Sequence, residues 1–151
     1  MHITMHFKPE GEFGIPLHYN HILQGVIYKA INPQLAIFLH DKGFMNNGRS
    51  FKLFTFSRLN GRHEINKKNE SIKFFDQISM TISSPVVEFC NSVANGVLTK
   101  RWVDFGSNRV EATNMLVCQH TVDKCEILIR TLSPIVVYST LIRPDGRKYT
   151  C

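Results

Sequence analysis

Four β-prone segments and two long amphipathic helical segments occupy the first 124 residues, in the order strand, helix, strand, strand, helix, strand. Apolar and polar residues alternate in the strand segments, and apolar residues recur at spacings of three and four in the helical segments. This order is that of a split βαβ unit, in which two helices pack on one face of an antiparallel sheet. The sequence therefore predicts an α+β fold of the ferredoxin-like type.

The first strand and the first helix are predicted from a change of hydrophobic period. Residues 2–8 alternate apolar and polar side chains, which is typical of a half-buried strand. An apolar stripe at helical spacing then begins at Leu23 and ends at Ile31. Pro33 disfavours a helical conformation in the residue before it, so we expect this helix to end near Asn32.

A short second helix is predicted directly after the first. Leu35, Phe38 and Leu39 form its apolar face, and Gly43 ends it. A polar loop follows, and residues 51–57 are then rich in aromatic side chains. This composition predicts the second strand of the sheet.

A basic segment and a long apolar segment follow the second strand. Residues 58–71 are polar and show no periodicity, so we expect a loop that joins two strands. Over residues 72–82 apolar and polar side chains alternate, with Asp76 as the one break in the apolar face. This alternation predicts a long third strand.

The second long helix carries signals at both of its ends. Ser84 is the predicted N-cap, Pro85 the first-turn proline, and Gly96 the residue that ends the helix. Two β-prone segments flank Ser107 and Asn108 further along the chain. They predict a hairpin whose second arm is the last strand of the sheet.

The C-terminal part of the chain is β-prone, and Pro134 limits its first strand to an edge or a bend. We assign residues 1–124 to the ferredoxin-like domain and residues 125–151, an extra β-hairpin, to the start of a second ferredoxin-like domain. We expect the chain to hold only the opening of that second domain.

Composition and charge limit the kind of partner. A formal net charge of +6 and a pI near 9.3 favour a polyanionic partner, because lysines and arginines that neutralise phosphates release counterions. No run approaches the roughly 20 apolar residues of a membrane span. We expect a soluble, cytoplasmic protein with no membrane partner.

Four stretches of sequence together resemble a known family. In chain order they are YNHILQGVIYKAI, LAIFLHDKGF, FKLFTFSRL and LSPIVV. The chain resembles the CRISPR-associated endoribonucleases of the RAMP superfamily, which process precursor CRISPR RNA at its repeats in antiviral defence. The resemblance implies two tandem ferredoxin-like domains, the second with a glycine-rich loop that helps to grip the RNA. This sequence departs from that pattern, because Gly146 is the only glycine after Pro134.

The resemblance also implies a chemistry that needs no metal and no cofactor. The 2′-hydroxyl attacks the adjacent phosphate and leaves 2′,3′-cyclic phosphate and 5′-hydroxyl ends. His40 falls at the family's catalytic histidine, and imidazole suits proton transfer near neutral pH. Tyr28 would hydrogen-bond the 2′-hydroxyl or assist the base, and Lys52 would stabilise charge on the phosphate. Without the resemblance, these three are ordinary residues of a helix flank, a surface and a strand edge.

Basic residues around the same region are candidate contacts to RNA phosphates, which set affinity without reading sequence. They are Lys42, Arg49, Arg58, Arg62, Lys67 and Lys68. We expect Phe54 and Phe56 to pack in the core, with base stacking as the alternative. The histidines and cysteines lack metal-ligand spacing, so no metal site is predicted.

Two further functions stay open. The chain is alternatively a non-catalytic or truncated module that binds repeat RNA as a subunit of a complex with other CRISPR-associated proteins. In the other alternative it is an assembly subunit that pairs through residues 126–151 with another chain, a second copy in a homodimer included. The reason is that an unfinished sheet edge is prone to pairing.

Overall fold

The computed structural model describes residues 1–119, 121, 125, 126, 128, 140–142 and 148–150. The chain divides into two compact units, Met1–His120 and Thr121–Cys151. The helices of the first unit are α1 (Asn20–Ala30), α2 (Pro33–Asp41) and α3 (Val87–Lys100). Its strands are β1 (His2–Pro9), β2 (Phe13–Pro16), β3 (Phe44–Asn46), β4 (Arg49–Phe51), β5 (Thr55–Phe56), β6 (His63–Asn66), β7 (Ser71–Phe74), β8 (Ile78–Ser83), β9 (Trp102–Phe105) and β10 (Asn108–Cys118).

The central element of the first unit is a five-stranded antiparallel sheet with the order β5-β8-β1-β10-β9. The first four strands in this order are the second, third, first and fourth strands of a ferredoxin-like sheet, and β9 adds a fifth at the edge. Along the chain, the long helix α1 comes after the first ferredoxin-like strand, β1, and the long helix α3 comes after the third, β8. This is the order that the sequence predicted. The predicted α+β fold of ferredoxin-like type is therefore confirmed.

The core lies between this sheet and the two long helices. Alternate side chains of β1, those of Ile3, Met5 and Phe7, are at most 1% exposed. They belong to one buried cluster with Leu23 of α1 and Val93 of α3. Each such side chain stabilises the fold by roughly 1.5–3 kcal/mol. The apolar residues of the alternating pattern in β1 are thus buried on the face of the sheet that the helices cover.

The predicted end of α3 at Gly96 is wrong, because the helix continues to Lys100. Gly96 lies instead where α3 crosses α1. A Cβ atom at this position would lie 1.7 Å from the carbonyl oxygen of Ala30. The glycine is needed for the close approach of two helix backbones and does not cap the helix.

The predicted start of α3 also moves. Val86, and not Ser84, precedes the first helical residue. The Ser84 hydroxyl accepts a hydrogen bond from the backbone N–H of Val86 at 3.0 Å and donates one to the carbonyl of Leu53 at 2.6 Å. Ser84 therefore ties the approach to α3 to the segment before β5.

The predicted strand over residues 51–57 is broken into two pieces that belong to different sheets. Phe51 ends β4, which pairs with β3, whereas β5 pairs with β8. Between them Leu53 has a φ of 52°, in the left-handed region that a regular strand excludes. The chain turns at Leu53, and the aromatic composition did not reveal this turn.

The predicted long third strand is likewise two strands, β7 and β8, which are separated near Asp76. The predicted loop over residues 58–71 contains β6, and β2 lies between β1 and α1, where no strand was predicted. These pieces form a separate sheet with the order β2-β7-β6. The sheets share one core, since Phe13 packs edge to face on Phe74 at 5.7 Å and on Phe105 at 5.9 Å.

In the second unit the described residues include two strands, β11 (Thr140–Ile142) and β12 (Lys148–Thr150), which pair antiparallel. The LSPIVV stretch lies outside the described residues. The assignment of residues 125–151 to a second ferredoxin-like domain stays a prediction. No helix in the described part of the chain has the length and apolarity to cross a membrane.

Candidate active site

The C-terminal end of α2 and the segment after β4 carry two of the three residues predicted to be catalytic. Gly43 ends α2 with a φ of 69°, and its N–H donates to the carbonyl of Phe38 at 2.7 Å. A Cβ atom at Gly43 would lie 2.7 Å from the carbonyl oxygen of Phe51. The glycine therefore lets the chain reverse so that β4 returns to the end of α2.

His40 lies in the last turn of α2, and its side chain is 81% exposed. Its Nδ1 is 2.7 Å from Oδ1 of Asp41. Since an ionised carboxylate can only accept, Nδ1 donates and Nε2 of the neutral ring is left as an acceptor. His40 thus presents a proton acceptor to solvent.

Lys52 is half-buried between β4 and β5, and not at the start of a strand as predicted. Its Nζ donates to the carbonyl oxygen of Leu39 and, at 3.1 Å, to that of His40. The ammonium therefore pairs with carbonyls at the negative end of the α2 dipole, where a cation is favoured. An ammonium group has three donors, so one is left for a ligand.

Tyr28 lies on α1, half-buried, and its ring packs edge to face on Phe54 at 6.2 Å. Burial raises the pKa of the Tyr28 phenol, and a hydrogen bond with Gln24 offsets part of this rise. Phe54 is two residues after Lys52, so Tyr28 contacts the same segment that carries the lysine. The structure thus joins Lys52 to the backbone of His40 directly and Tyr28 to this group through Phe54.

Phe54 and Phe56 belong to the core, as expected first, and base stacking by Phe54 is not supported. The ring of Phe54 stacks on that of Phe89 of α3 at 4.7 Å with an interplanar angle of 18°. It also lies 6.5 Å from the ring of Phe56. One face of the Phe54 ring, which a nucleobase would need, is therefore covered by Phe89.

The six basic residues predicted to contact RNA are all exposed, but they fall in three places. Lys42 caps α2, and Arg49 lies in the β3–β4 hairpin. Lys67 and Lys68 form the tip between β6 and β7. Arg58 and Arg62 lie in the segment between β5 and β6, and Arg62 is paired with Asp76 at 3.0 Å.

The β3–β4 hairpin beside His40 was missed, although its turn has a clear sequence signal. Asn47 and Gly48 both have positive φ, 48° and 74°, as a two-residue type I′ hairpin turn requires. The hairpin is fixed to α2 by the Ser50 hydroxyl, which donates to the carbonyl of Lys42. An Asn-Gly pair between two short apolar segments could have predicted it.

Within residues 1–119 and the few described beyond them, no group of three histidine, cysteine, aspartate or glutamate side chains is placed to hold a metal ion. Two cysteines of that part of the chain, Cys90 and Cys125, are free thiols. Burial raises the pKa of the Cys90 thiol, which lies in the core.

Comparison with known proteins relates most of the chain to one family. A family model described as CRISPR-associated protein Cas6, N-terminal, matches residues 14–114. The CRISPR-associated endoribonuclease Cas6 1 of Methanocaldococcus jannaschii is 30% identical over 155 aligned positions, which cover 98% of this chain and 56% of that protein. The chain therefore spans little more than half of this curated relative.

Solved structures give the same relation. One described as a Cas6-related protein from Pyrococcus furiosus superposes with a TM-score of 0.71 at 25% identity, covering all of this chain and 61% of the other. A CRISPR-associated protein Cas6 gives 0.66 at 26% identity and 62% coverage. A RAMP protein that binds different RNA substrates gives 0.69 at 23% identity, which supports the fold alone.

Proposed function

The chain belongs to the Cas6 family, and from this membership we propose that it is an endoribonuclease that cleaves CRISPR repeat RNA in precursor transcripts without a metal ion. In this proposal the RNA supplies its own nucleophile, the 2′-hydroxyl next to the scissile phosphate. The products carry 2′,3′-cyclic phosphate and 5′-hydroxyl ends. The protein supplies a base, a cation and a hydrogen-bond donor.

The observation that carries the proposal is the contact of Lys52 with the end of α2. Its Nζ donates to the main-chain carbonyls of Leu39 and His40, so the cation is held beside the histidine by main-chain groups. The transition state concentrates negative charge on the phosphate oxygens, and a fixed cation stabilises that charge more than it stabilises the substrate. The third N–H of Lys52 is the one assigned to a phosphate oxygen.

The proposed reaction is one displacement at phosphorus. Nε2 of His40 takes the proton of the 2′-hydroxyl while the O2′–P bond forms. The P–O5′ bond breaks, and the leaving oxygen takes up a proton from water, which reaches this exposed site. The Tyr28 phenol acts as a hydrogen-bond donor, since its raised pKa keeps it protonated at neutral pH.

A continuous basic stretch supports RNA as the substrate. From Lys42 to His63 the sequence contains five lysines and arginines and no aspartate or glutamate. This stretch includes Lys52 and begins two residues after His40, with Asp41 between them. A polyanion bound along it would bring its phosphates to the proposed catalytic group.

A second candidate function is RNA binding without turnover, alone or within a complex of CRISPR-associated proteins. The chain covers 56–62% of the length of these Cas6 relatives. Lys52 also has a structural role at the end of α2, which would keep it in place in an inactive relative. The same cleavage assay distinguishes the two candidates.

The test uses an RNA that carries the cognate repeat, incubated with the protein in excess EDTA. We expect cleavage with a 2′,3′-cyclic phosphate end and no cleavage of an RNA that has one 2′-deoxy substitution at the cut site. His40→Ala should reduce the rate on the order of 100- to 10,000-fold, the usual contribution of general acid-base catalysis. RNA binding should be largely unchanged.

His21→Ala is the matched control, since His21 is an exposed histidine of α1 outside the proposed site. It should cleave at the wild-type rate. Undiminished cleavage by His40→Ala, or cleavage of the 2′-deoxy RNA, would exclude the proposed mechanism. An intact RNA that binds tightly to the wild-type protein would favour the second candidate.

A further inference from the structure

A cavity of about 620 Å³ lies at one end of the five-stranded sheet, outside the candidate active site. Its volume is within the range of about 300–1,000 Å³ that small-ligand sites occupy. Its wall includes Lys73 and Phe75, and Thr113 of β10 lines it from the sheet. Phe75 follows β7 directly and is 37% exposed, whereas its neighbour Phe74 is buried.

The ring of Phe75 carries two cationic side chains. The guanidinium carbon of Arg62 lies 5.4 Å from the ring centroid, and Nζ of Lys73 lies 5.9 Å from it. An ion pair with Asp76 at 3.0 Å restricts the guanidinium. Arg62 therefore lies over part of the Phe75 ring and adds its own flat, positively charged surface next to the part of the ring that is left exposed. Planar guanidinium groups and aromatic rings are the surfaces on which unstacked bases pack.

The charges of the pocket favour a neutral base over a phosphate group. Lys73 is paired with Glu12 at 2.5 Å, and this contact lowers the pKa of the Glu12 carboxyl. Arg62 is paired with Asp76, so Lys8 is the cation of the pocket for which no carboxylate contact is described. A phosphate would meet two carboxylates, whereas the amino groups of a base could donate to them.

A polar floor completes the pocket. The β1–β10 register shifts between His6 and Phe7, so that Thr113 is an extra residue in β10. Its hydroxyl donates to the carbonyl of His6 at 3.2 Å and accepts from the Gln77 amide at 3.0 Å. This β-bulge places a hydroxyl and an amide at a wall where regular pairing would continue.

The pocket and the candidate active site lie at opposite ends of β8. Thr55, next to the Lys52–Phe54 segment, pairs with Ser83 at the end of β8, whereas Gln77 of the pocket precedes the start of β8. With about 3.4 Å of rise per residue, the six-residue strand separates them by roughly 17 Å. One RNA strand would therefore reach the two places with different nucleotides.

We propose that this pocket binds one unpaired nucleobase of the RNA, which stacks on the Phe75–Arg62 surface and hydrogen-bonds to the polar groups of the floor. The proposal rests on the proposed RNA function. It adds a subsite for a nucleotide away from the cut.

The test measures binding of a fluorescent repeat RNA that carries a 2′-deoxy substitution at the cut site, so that no turnover is needed. Phe75→Ala should weaken binding by about 5- to 150-fold, the usual loss for one stacked base. Arg62→Lys should weaken it by a similar factor, since lysine keeps the charge but lacks the plane. Phe75→Trp should restore binding.

Leu98→Ala is the control, because Leu98 is an exposed apolar residue of α3 outside this pocket and its loss should leave binding unchanged. Thermal unfolding of each variant verifies that it is folded. If Phe75→Ala does not fold, the binding of Arg62→Lys tests the proposal. Binding equal to that of the wild type by Arg62→Lys and by folded Phe75→Ala would overturn the proposal.

The two proposals fail in different ways. Binding that depends on Phe75, together with RNA that remains intact, contradicts the nuclease and supports the subsite. Cleavage that depends on His40, together with binding independent of Phe75, contradicts the subsite alone.

Discussion

The family motifs predicted Tyr28, His40 and Lys52 as catalytic residues. The structure adds the groups that these side chains contact, which a motif does not specify. The spacing of 12 residues between them says nothing of partners. The contact of Lys52 with the Leu39 carbonyl depends on how the chain reverses at Gly43, and the contact of Tyr28 with Phe54 depends on how α1 packs. Residue types were therefore predictable here, but their surroundings were not, because these arise from tertiary packing.

The titration of Tyr28 is the first prediction at this scale. Because burial disfavours the phenolate, the pKa of Tyr28 in the folded protein should lie above its usual value of about 10. Stability gained from the neutral phenol is present below that pH and is lost as the pH rises through the folded-state pKa. The absorbance difference between wild type and Tyr28→Phe, recorded from pH 8 to pH 12, measures this titration.

A midpoint at or below 10 would contradict the burial of the phenol, and Tyr28 would then also be a stronger candidate for a base. The other tyrosines cancel in the difference spectrum. Equal absorbance of the two proteins at the tyrosinate wavelength at pH 8, before the tyrosines ionise, is the internal control.

At the scale of elements, the sequence predicted the long helices and the first strand better than the segments between the two long helices. Strong periodicity marked α1, β1 and α3, whereas two predicted strands were each two strands in different sheets. Their breaks, at Leu53 and near Asp76, are single positions inside otherwise apolar runs. The composition of a segment does not show such single positions. Only a signal at one residue, such as a charged side chain on the buried face, indicates where a strand breaks.

Gly96 and Gly25 offer a matched pair of substitutions in two packed helices. A methyl group at Gly96 would collide with the Ala30 backbone, so Gly96→Ala should force α1 and α3 apart and destabilise the protein by about 3 kcal/mol, the upper end for overpacking. A methyl group at Gly25 meets nothing within 4 Å. Gly25→Ala should stabilise by about 0.5–1 kcal/mol, because alanine is the better helix former.

Urea unfolding followed by circular dichroism gives both free energies. Opposite signs are expected for the two variants. Equal effects would mean that helix propensity, and not the crossing of α1 over α3, determines the cost at Gly96.

At the scale of the whole molecule, basic charge predicted a polyanionic partner, and the relation to Cas6 proteins is consistent with RNA. The composition could not say where on the surface the charge acts. Arg62 illustrates the limit, because its ion pair with Asp76 and its contact with Phe75 are absent from any count of lysines and arginines.

The salt dependence of RNA binding tests the remaining basic positions. If Lys67 and Lys68 contact phosphates, the double substitution to alanine should reduce the slope of log K against log salt by about 1.4, or about 0.7 for each phosphate of a single strand. Lys100→Ala is the control, because its ammonium bonds to the carbonyl of Lys29 at 2.8 Å on the helical side. Fluorescence anisotropy, recorded at salt concentrations from about 50 to 300 mM, measures the slope.

An unchanged slope for the double variant would remove the β6–β7 tip from the RNA-binding surface. An equal reduction for Lys100→Ala would mean that the effect reports net charge and not a local contact.

The aromatic contacts of Phe13 bear on how the first unit opens. Phe13 comes from the smaller sheet, and its ring lies against Phe74 of that sheet and against Phe105 of the larger one. The smaller sheet therefore cannot peel away without exposing rings that the larger sheet also buries. Fluctuations that would detach it become coupled to loss of the whole core, and amide hydrogens in β7 should exchange through the same rare global event as those in β1.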